Sequence, residues 1–325
     1  MKRFSYFLAR SVMQLICLLL GLILAAMLGM TASVQYYIMK SQQPQSDFLS
    51  VPAFSAQDTQ HATGAADTGE LVSILLIGQD AREGNTFARS DSMILCTYNP
   101  SAKKLYLTSF LRDLYVPIPG YEPNRINAAY AYGGSELLRQ TLEENFGLQI
   151  DGTVEADFTQ FSKIVDLLGG VRIHLRQDEA DAINEKTGSD LTEGTQLLDG
   201  DQALAYSRIR KLDADGDFSR TNRQRTVMEA IVDSYRNAGT GKILKLVYNL
   251  LPMIRTDMQT GQILALAVSV IPNLSQTQIV SQYVPAAGTY TDQMIDGMAV
   301  LVPDLEKCTE ILRNSFLETA ANTES

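Results

Sequence analysis

Apolar residues along this chain come in two patterns, unbroken short runs and runs that recur every three or four positions. Residues 71–77 are apolar apart from Ser73 and stop at Gly78, which predicts a strand buried on both faces. Residues 92–98 and 105–110 predict two more strands, with Asn99-Pro100 as the turn between them. Between 135 and 146, Leu137, Leu138, Leu142 and Phe146 fall at helical spacing and the pattern ends at Gly147. Residues 158–168 repeat it and end at Gly169-Gly170, a good helix stop. A short strand is predicted at 171–175, helices at 199–206, 221–235, 243–251 and 260–270, a strand at 278–284 and a last helix at 303–317. Helices and apolar strands interleave with no fixed repeat, so the predicted class is α/β with a largely buried sheet. In such sheets ligands sit beyond the carboxyl ends of strands, so the polar residues there carry the interest.

The first 40 residues follow a different rule. Lys2, Arg3 and Arg10 precede the segment 11–39, which holds no charge. Its length fits a membrane-spanning helix better than the shorter apolar stretch of a cleaved leader. The cations before it predict a cytoplasmic tail at 1–10, with everything after the anchor outside the cell membrane. Residues 40–69 are polar and lack periodicity, as in a flexible stalk. That leaves a core at 70–235 and an extension at 236–325 packed on the same domain.

Composition narrows the chemistry. The formal net charge is −10, and the segment before residue 40 carries only cations, so the rest is more acidic still. That balance argues against nucleic acid as a partner. Besides Cys17 in the apolar run there are Cys96 and Cys308, read as two buried free thiols in preference to a bridge. The histidines are His61 and His174, too few for a His-based zinc site or a Ser/His/Asp triad.

Against this acidity, five arginines lie between positions 208 and 225: Arg208, Arg210, Arg220, Arg223 and Arg225. Guanidinium is always charged and binds two oxygens at once, which suits phosphate. Asp80 follows the first predicted strand, and Arg89 and Asp91 open the second. If those strands are antiparallel neighbours, the two carboxylates meet at one end of the sheet, where a cation such as Mg2+ relieves their repulsion. The plainer reading is a turn cap and an ion pair with Arg82 or Arg89. Arg112 and Asp113 end the third strand, and Arg125 stands before a helix. Together these predict a site for Mg2+, or Mn2+ in its place, and a pyrophosphate, with cations to stabilise charge on a leaving phosphate. Asp199 reads as a helix cap, and Asp217 as a lock on Arg220 and Arg223.

In order and spacing, the motifs resemble the LytR-CpsA-Psr family, which joins cell-wall glycopolymers to peptidoglycan. They are Gly-Gln-Asp-Ala-Arg (78–82), Arg-Ser-Asp-Ser (89–92), Leu-Arg-Asp (111–113), Arg-Ile-Asn-Ala-Ala-Tyr-Ala-Tyr-Gly-Gly (125–134), Gly-Gly-Val (169–171), Leu-Asp-Gly-Asp-Gln-Ala-Leu-Ala-Tyr-Ser-Arg-Ile-Arg (198–210) and Gly-Asp-Phe-Ser-Arg-Thr-Asn-Arg-Gln-Arg (216–225). The resemblance runs from about Ile74 to Ile231. It implies a three-layer α/β/α domain with a central mixed sheet and an apolar pocket for a polyprenyl chain, with the pyrophosphate at its mouth. By position, Asp80 and Asp91 would hold Mg2+, Arg89 would lie near the head group, and Arg112, Arg208 and Arg210 would contact the phosphates. Arg220, Asp217 and Gln224 would complete the rim, and Asp113 and Asp80 are candidates for the general base. Two departures stand out: Phe-Leu-Arg-Asp-Leu (110–114) replaces a usual Ile-Pro-Arg-Asp-Ser/Thr, and Arg125 stands where lysine is common. The resemblance implies a polyprenyl-pyrophosphate-linked glycopolymer, a peptidoglycan acceptor and the membrane as partners. A pyrophosphatase, a prenyl-phosphate-binding regulator and a carbohydrate-binding wall adhesin are the alternatives.

Overall fold

The first apolar run becomes β1, Val72–Gln79, near the middle of a six-stranded sheet. The structure is a computed structural model that describes residues 71–79, 90–213 and 215–317, less the side chain of Ser269. The 11–39 anchor and the 40–69 stalk therefore lie outside the described residues, as do Asp80 and Arg89. Among the described residues no helix is long and apolar enough to cross a membrane.

After β1 come β2 (Ser90–Asn99), β3 (Lys104–Phe110) and a small hairpin of β4 (Tyr115–Ile118) and β5 (Tyr121–Arg125). Helix α1, Asn127–Phe146, precedes β6, Gly152–Asp157, and α2, Phe158–Leu168, follows it. A second hairpin, β7 (Val171–Leu175) with β8 (Gly194–Leu198), brackets α3, Gln177–Thr187. Then come α4 (Gly200–Ser207), α5 (Asp217–Tyr235), α6 (Thr240–Leu250), β9 (Arg255–Thr256) and α7 (Thr260–Val270). The chain closes with β10 (Gln278–Val284), the hairpin β11 (Tyr290–Ile295) and β12 (Met298–Pro303), and α8 (Leu305–Leu317).

The main sheet runs β10-β3-β2-β1-β6-β9 and is mixed: β1 pairs β2 antiparallel and β6 parallel, while β10 pairs β3 parallel. Register decides what each face does. Leu75 sits opposite Leu95 and Ile77 opposite Met93, all fully buried, and these pack with Leu138, Leu142 and Phe146 of α1 and Leu312 and Phe316 of α8. Phe110 against Phe146 and Tyr106 against Phe316, with ring centroids 5.2 and 5.3 Å apart, close that layer. Each such ring or branched chain contributes roughly 1.5–3 kcal/mol by leaving water. The alternate residues face the other way. There Ile74, Leu76, Cys96, Val154 and Ala156 are only half-buried. Helices α5 and α7 lie on this face: Arg225 reaches Ser281 of β10, and Leu266 packs with Val72 and Ile74.

Most predicted elements appear within a few residues. Helix α1 starts eight residues earlier than its apolar pattern, because Gly133-Gly134 hides the first two turns. There the helix breaks, and Gly134 at φ 66°, ψ −158° adopts a conformation that favours glycine. The 194–208 segment, expected as a turn into a short helix, begins with strand β8.

Candidate anion-binding site

Three guanidinium groups gather beside the carboxyl end of β1, where Gly78 pairs with Ser92 of antiparallel β2. A Cβ on Gly78 would stand 3.0 Å from that of Ser92, so the close strand approach depends on glycine. Asp91, next in β2, is the hub. Arg112 at the end of β3 donates from Nη1 to Asp91 Oδ1 at 3.0 Å. Arg210 Nη2 and Arg220 Nη1 lie 3.7 and 3.8 Å from the same oxygen, and Arg220 Nη2 donates to the Asp91 carbonyl at 3.2 Å. Arg82 and Arg89, the partners expected for Asp91, lie outside the described residues, and among the described ones Arg112 pairs with it.

Arg220 is 1% exposed and held in place by Asp217, three residues earlier on α5, at 2.8 Å. Arg112 Nε lies 3.5 Å from Asp217 and 3.7 Å from Asp113, and Asp113 lies 3.3 Å from Arg125 Nε. Arg125 also donates from Nη2 to the Ala299 carbonyl at 2.6 Å. Burial pulls the Arg112 guanidinium down, but Asp217, Asp113 and Asp91 outweigh it and the net shift is upward. Burial pushes the Asp217 carboxyl above its ordinary value despite Arg220 and Arg112. It pulls Arg220 down to about 10, still a cation at neutral pH. Nε and Nη1 of Arg220 and Nε of Arg112 are buried without a hydrogen-bond partner among the described residues. Those surplus donors fit the oxygens of a phosphate.

Arg208 caps the end of α4, the helix started by the Asp199 box with Gln202. Its guanidinium lies 4.2 Å from the Phe158 ring centroid, a cation–π contact that orients it. Arg208 sits at a helix end and Arg210 in the loop that follows. Both line a polar cavity of about 810 Å³ together with Asp91, Arg112 and Lys186.

The five-arginine stretch divides. Arg208, Arg210 and Arg220 serve this site, whereas Arg223 is buried against Glu179 of α3 at 2.8 Å and also pairs with Asp213. Asp217 therefore fixes Arg220 but not Arg223. Arg225 donates to Ser281 Oγ at 2.8 Å, and burial lowers it to about 10. Gln224 stands one turn beyond Arg220; its Oε1 is buried without a hydrogen-bond partner among the described residues. Cys96 and Cys308 are free thiols, and His174 is a surface strand residue beside Thr195. Lys186, which sequence reasoning passed over in a solvated helix, reaches the cavity rim because α3 ends there.

Among the described residues no group of three or more His, Cys, Asp or Glu could hold a metal ion. Asp91 supplies one carboxylate, and Gln79, the residue before Asp80, sits opposite Ser90 in the sheet. Asp91 is thus the one described carboxylate of the expected pair, and Mg2+ held by one or two carboxylates and substrate phosphates would use it.

The sequence profile of the LytR_cpsA_psr family matches residues 29–315. The chain belongs to the LytR_cpsA_psr family. The match continues past Tyr235 into the segment where no motif was legible. The chain is 40% identical over 162 residues to regulatory protein MsrR of Staphylococcus aureus (strain COL), covering 49% of this chain and 48% of that protein. It is 41% identical over 172 residues to the polyisoprenyl-teichoic acid–peptidoglycan teichoic acid transferase TagT of Bacillus subtilis (strain 168), covering 51% and 53%. The matches thus span about half the length of these curated relatives. Among solved structures, the LytR-CPS2A-psr family protein YwtF (TagT) with bound octaprenyl pyrophosphate lipid superposes with a TM-score of 0.59 at 26% identity, covering 82% of this chain and 94% of that one.

Proposed function

We propose that the protein is an extracytoplasmic phosphotransferase that moves a glycopolymer, of the teichoic acid or capsular polysaccharide class, from a polyprenyl-pyrophosphate carrier to peptidoglycan. The observation that carries this reading is the convergence of Arg112, Arg210 and Arg220 on Asp91, with surplus buried donors, beside a half-buried apolar face. The first feature suits a diphosphate. The second, formed by Ile74, Leu76, Cys96, Val154 and Ala156, suits the chain attached to it. The polar cavity lined by Arg208 and Arg210 then takes the saccharide end. A relative named as a teichoic acid transferase and a neighbour holding octaprenyl pyrophosphate agree with this division.

In the reaction, an acceptor hydroxyl forms a bond to the phosphorus that carries the sugar. The bond from that phosphorus to the bridging oxygen breaks, and the oxygen leaves with the polyprenyl phosphate. Arg112, Arg210 and Arg220 orient the diphosphate and stabilise the charge that grows on the departing phosphate. Arg208, braced on Phe158, and Arg125 extend the cationic rim, with Arg89 near the head group and Gln224 beside Arg220. Asp217 positions Arg220 and Arg112. Asp113, placed between Arg112 and Arg125, is the described candidate to receive the hydroxyl proton; Asp80 is the other. Asp80 and Asp91 would hold Mg2+, or Mn2+, which supplies further neutralisation of the diphosphate. The segment 11–39 anchors the chain, with its N-terminus cytoplasmic, so that the site works at the outer membrane surface.

The test uses the full chain in detergent, a lipid-linked oligosaccharide and a glycan acceptor. Arg210→Ala and Arg220→Ala are each expected to lower turnover by about 10²–10³, and product must require the acceptor. Unchanged turnover in both variants would contradict the site, and lipid phosphate released without an acceptor would make the protein a pyrophosphatase.

A further inference from the structure

Two tyrosines on the surface near the arginines stack on each other, although burial does not require it. Tyr121 of β5 and Tyr132 of α1 are 51% and 43% exposed, and their rings lie 4.6 Å apart between centroids with an interplanar angle of 21°. The Tyr132 hydroxyl accepts a hydrogen bond from Asn124 Nδ2 at 2.9 Å. Tyr132 is the last residue before the helix break, where Gly133 and Gly134 leave helical geometry. Each ring is therefore fixed from two sides, Tyr132 by backbone and hydroxyl, Tyr121 by hairpin and stacking. A large aromatic surface held in place and partly open to water is a preorganised contact surface.

Its place in the fold says what it contacts. Tyr121 and Arg125 are the two ends of one strand, roughly 13 Å apart by strand rise, and Arg125 leads through Asp113 to Arg112. The rings thus lie one strand length beyond Arg125, the outermost cation of the anion site, and neither lines the polar cavity with Lys186, Arg208 and Arg210. Between Tyr121 and Arg125, β5 carries Glu122, Pro123 and Asn124, which bring one negative charge beside the rings. Such a patch disfavours a polyanionic polymer. It suits the apolar face of a pyranose ring, with Asn124 and the tyrosine hydroxyls for sugar hydroxyls.

We infer that Tyr121 and Tyr132 form a stacking platform for the sugar rings of the acceptor glycan, holding it so that a hydroxyl reaches the diphosphate at the arginines. This rests on the transferase reading above. The platform is a positioning element, and no proton or bond changes on it.

The chain contains no tryptophan, so Tyr121→Trp keeps a stacking ring and introduces a single fluorescent reporter. The probe is a soluble N-acetylhexosamine oligomer added to the full-length variant without donor. The expected result is a saturable change in the indole emission of Tyr121→Trp, abolished by a second substitution, Tyr132→Ala. In transfer assays, Tyr121→Ala is expected to raise the acceptor KM about 10-fold or more while leaving the donor KM unchanged; Tyr121→Phe, which keeps the ring and loses the hydroxyl, raises it less. No emission change on adding oligomer, or an unchanged acceptor KM in Tyr121→Ala, overturns the platform. If the donor KM rises instead, the rings serve the donor glycopolymer, and the inference is equally wrong. Failure of the transferase reading is distinguishable, since it removes turnover on every acceptor while the indole reporter still registers oligomer binding.

Discussion

Arg112 Nη1 and Asp91 Oδ1 stand 3.0 Å apart, tying the end of β3 to the start of β2 at the point where three guanidinium groups meet one carboxylate. Asp91→Ala would leave Arg112, Arg210 and Arg220 facing one another without it. Breaking such a partly buried network costs on the order of 1–3 kcal/mol. A bound anion restores the balance, so inorganic pyrophosphate should raise the Tm of Asp91→Ala more than that of the wild type. Equal shifts in differential scanning calorimetry would show that Asp91 is not the counter-ion of the cluster.

The Glu179–Arg223 pair is buried and is not part of the cavity lining, although Arg223 Nη1 also donates to the Ile209 carbonyl at 3.4 Å. Removing one partner strands a charge, so Arg223→Ala should lose about 3–5 kcal/mol in urea denaturation. Transfer per folded molecule should stay near wild type. A large loss of turnover in well-folded Arg223→Ala would return this arginine to the substrate site.

Asp217 makes a pH prediction whose sign follows from burial. Its folded-state pKa lies above the ordinary 3.8, so the folded protein holds this proton longer than the unfolded chain does. The stability from that group is fully present below pH 3.8 and is lost as pH rises through the raised value. The difference in unfolding free energy between wild type and Asp217→Asn should therefore fall with rising pH across that window. A difference that grows with pH would mean that Arg220 and Arg112 dominate over burial.

How far the sequence foretold all this depends on what each residue does. Strands β1, β3 and β10 and helices α2 and α7 were legible, because packing selects apolar residues at the period of the element. Strand β6 was not, since Gly-Thr-Val-Glu-Ala-Asp has no strong β signal and is defined by its parallel pairing with β1. Helix α3 escaped because it buries little besides Glu179, Ala180 and Ile183. At the site, Asp91, Arg112 and Asp113 were singled out by strand-end position, and Arg208, Arg210 and Arg220 by the concentration of arginine in an acidic chain. The different fates of Arg220, Arg223 and Arg225 were not, because one helix turn separates a site residue from a core ion pair. Only the positions of Glu179 and Ser281 reveal it.

Cys96 reports on the half-buried face of the sheet. It sits opposite Ile74, and although it keeps some exposed surface, burial of the thiol pushes it up to about 12. With Cys17 and Cys308 replaced by serine, its alkylation near neutral pH should be about 10³-fold slower than that of a free thiol. Octaprenyl diphosphate should slow it further by covering that face. Mass spectrometry showing the same rate with and without the lipid would place the chain elsewhere.

The most direct measurement is a crystal structure of the protein with a polyprenyl diphosphate bound. The diphosphate oxygens should lie within hydrogen-bonding distance of Arg112, Arg210 and Arg220, with the first isoprene units running over Ile74, Leu76 and Cys96. A diphosphate held away from those three arginines, or a lipid on the α1 side of the sheet, would contradict the account.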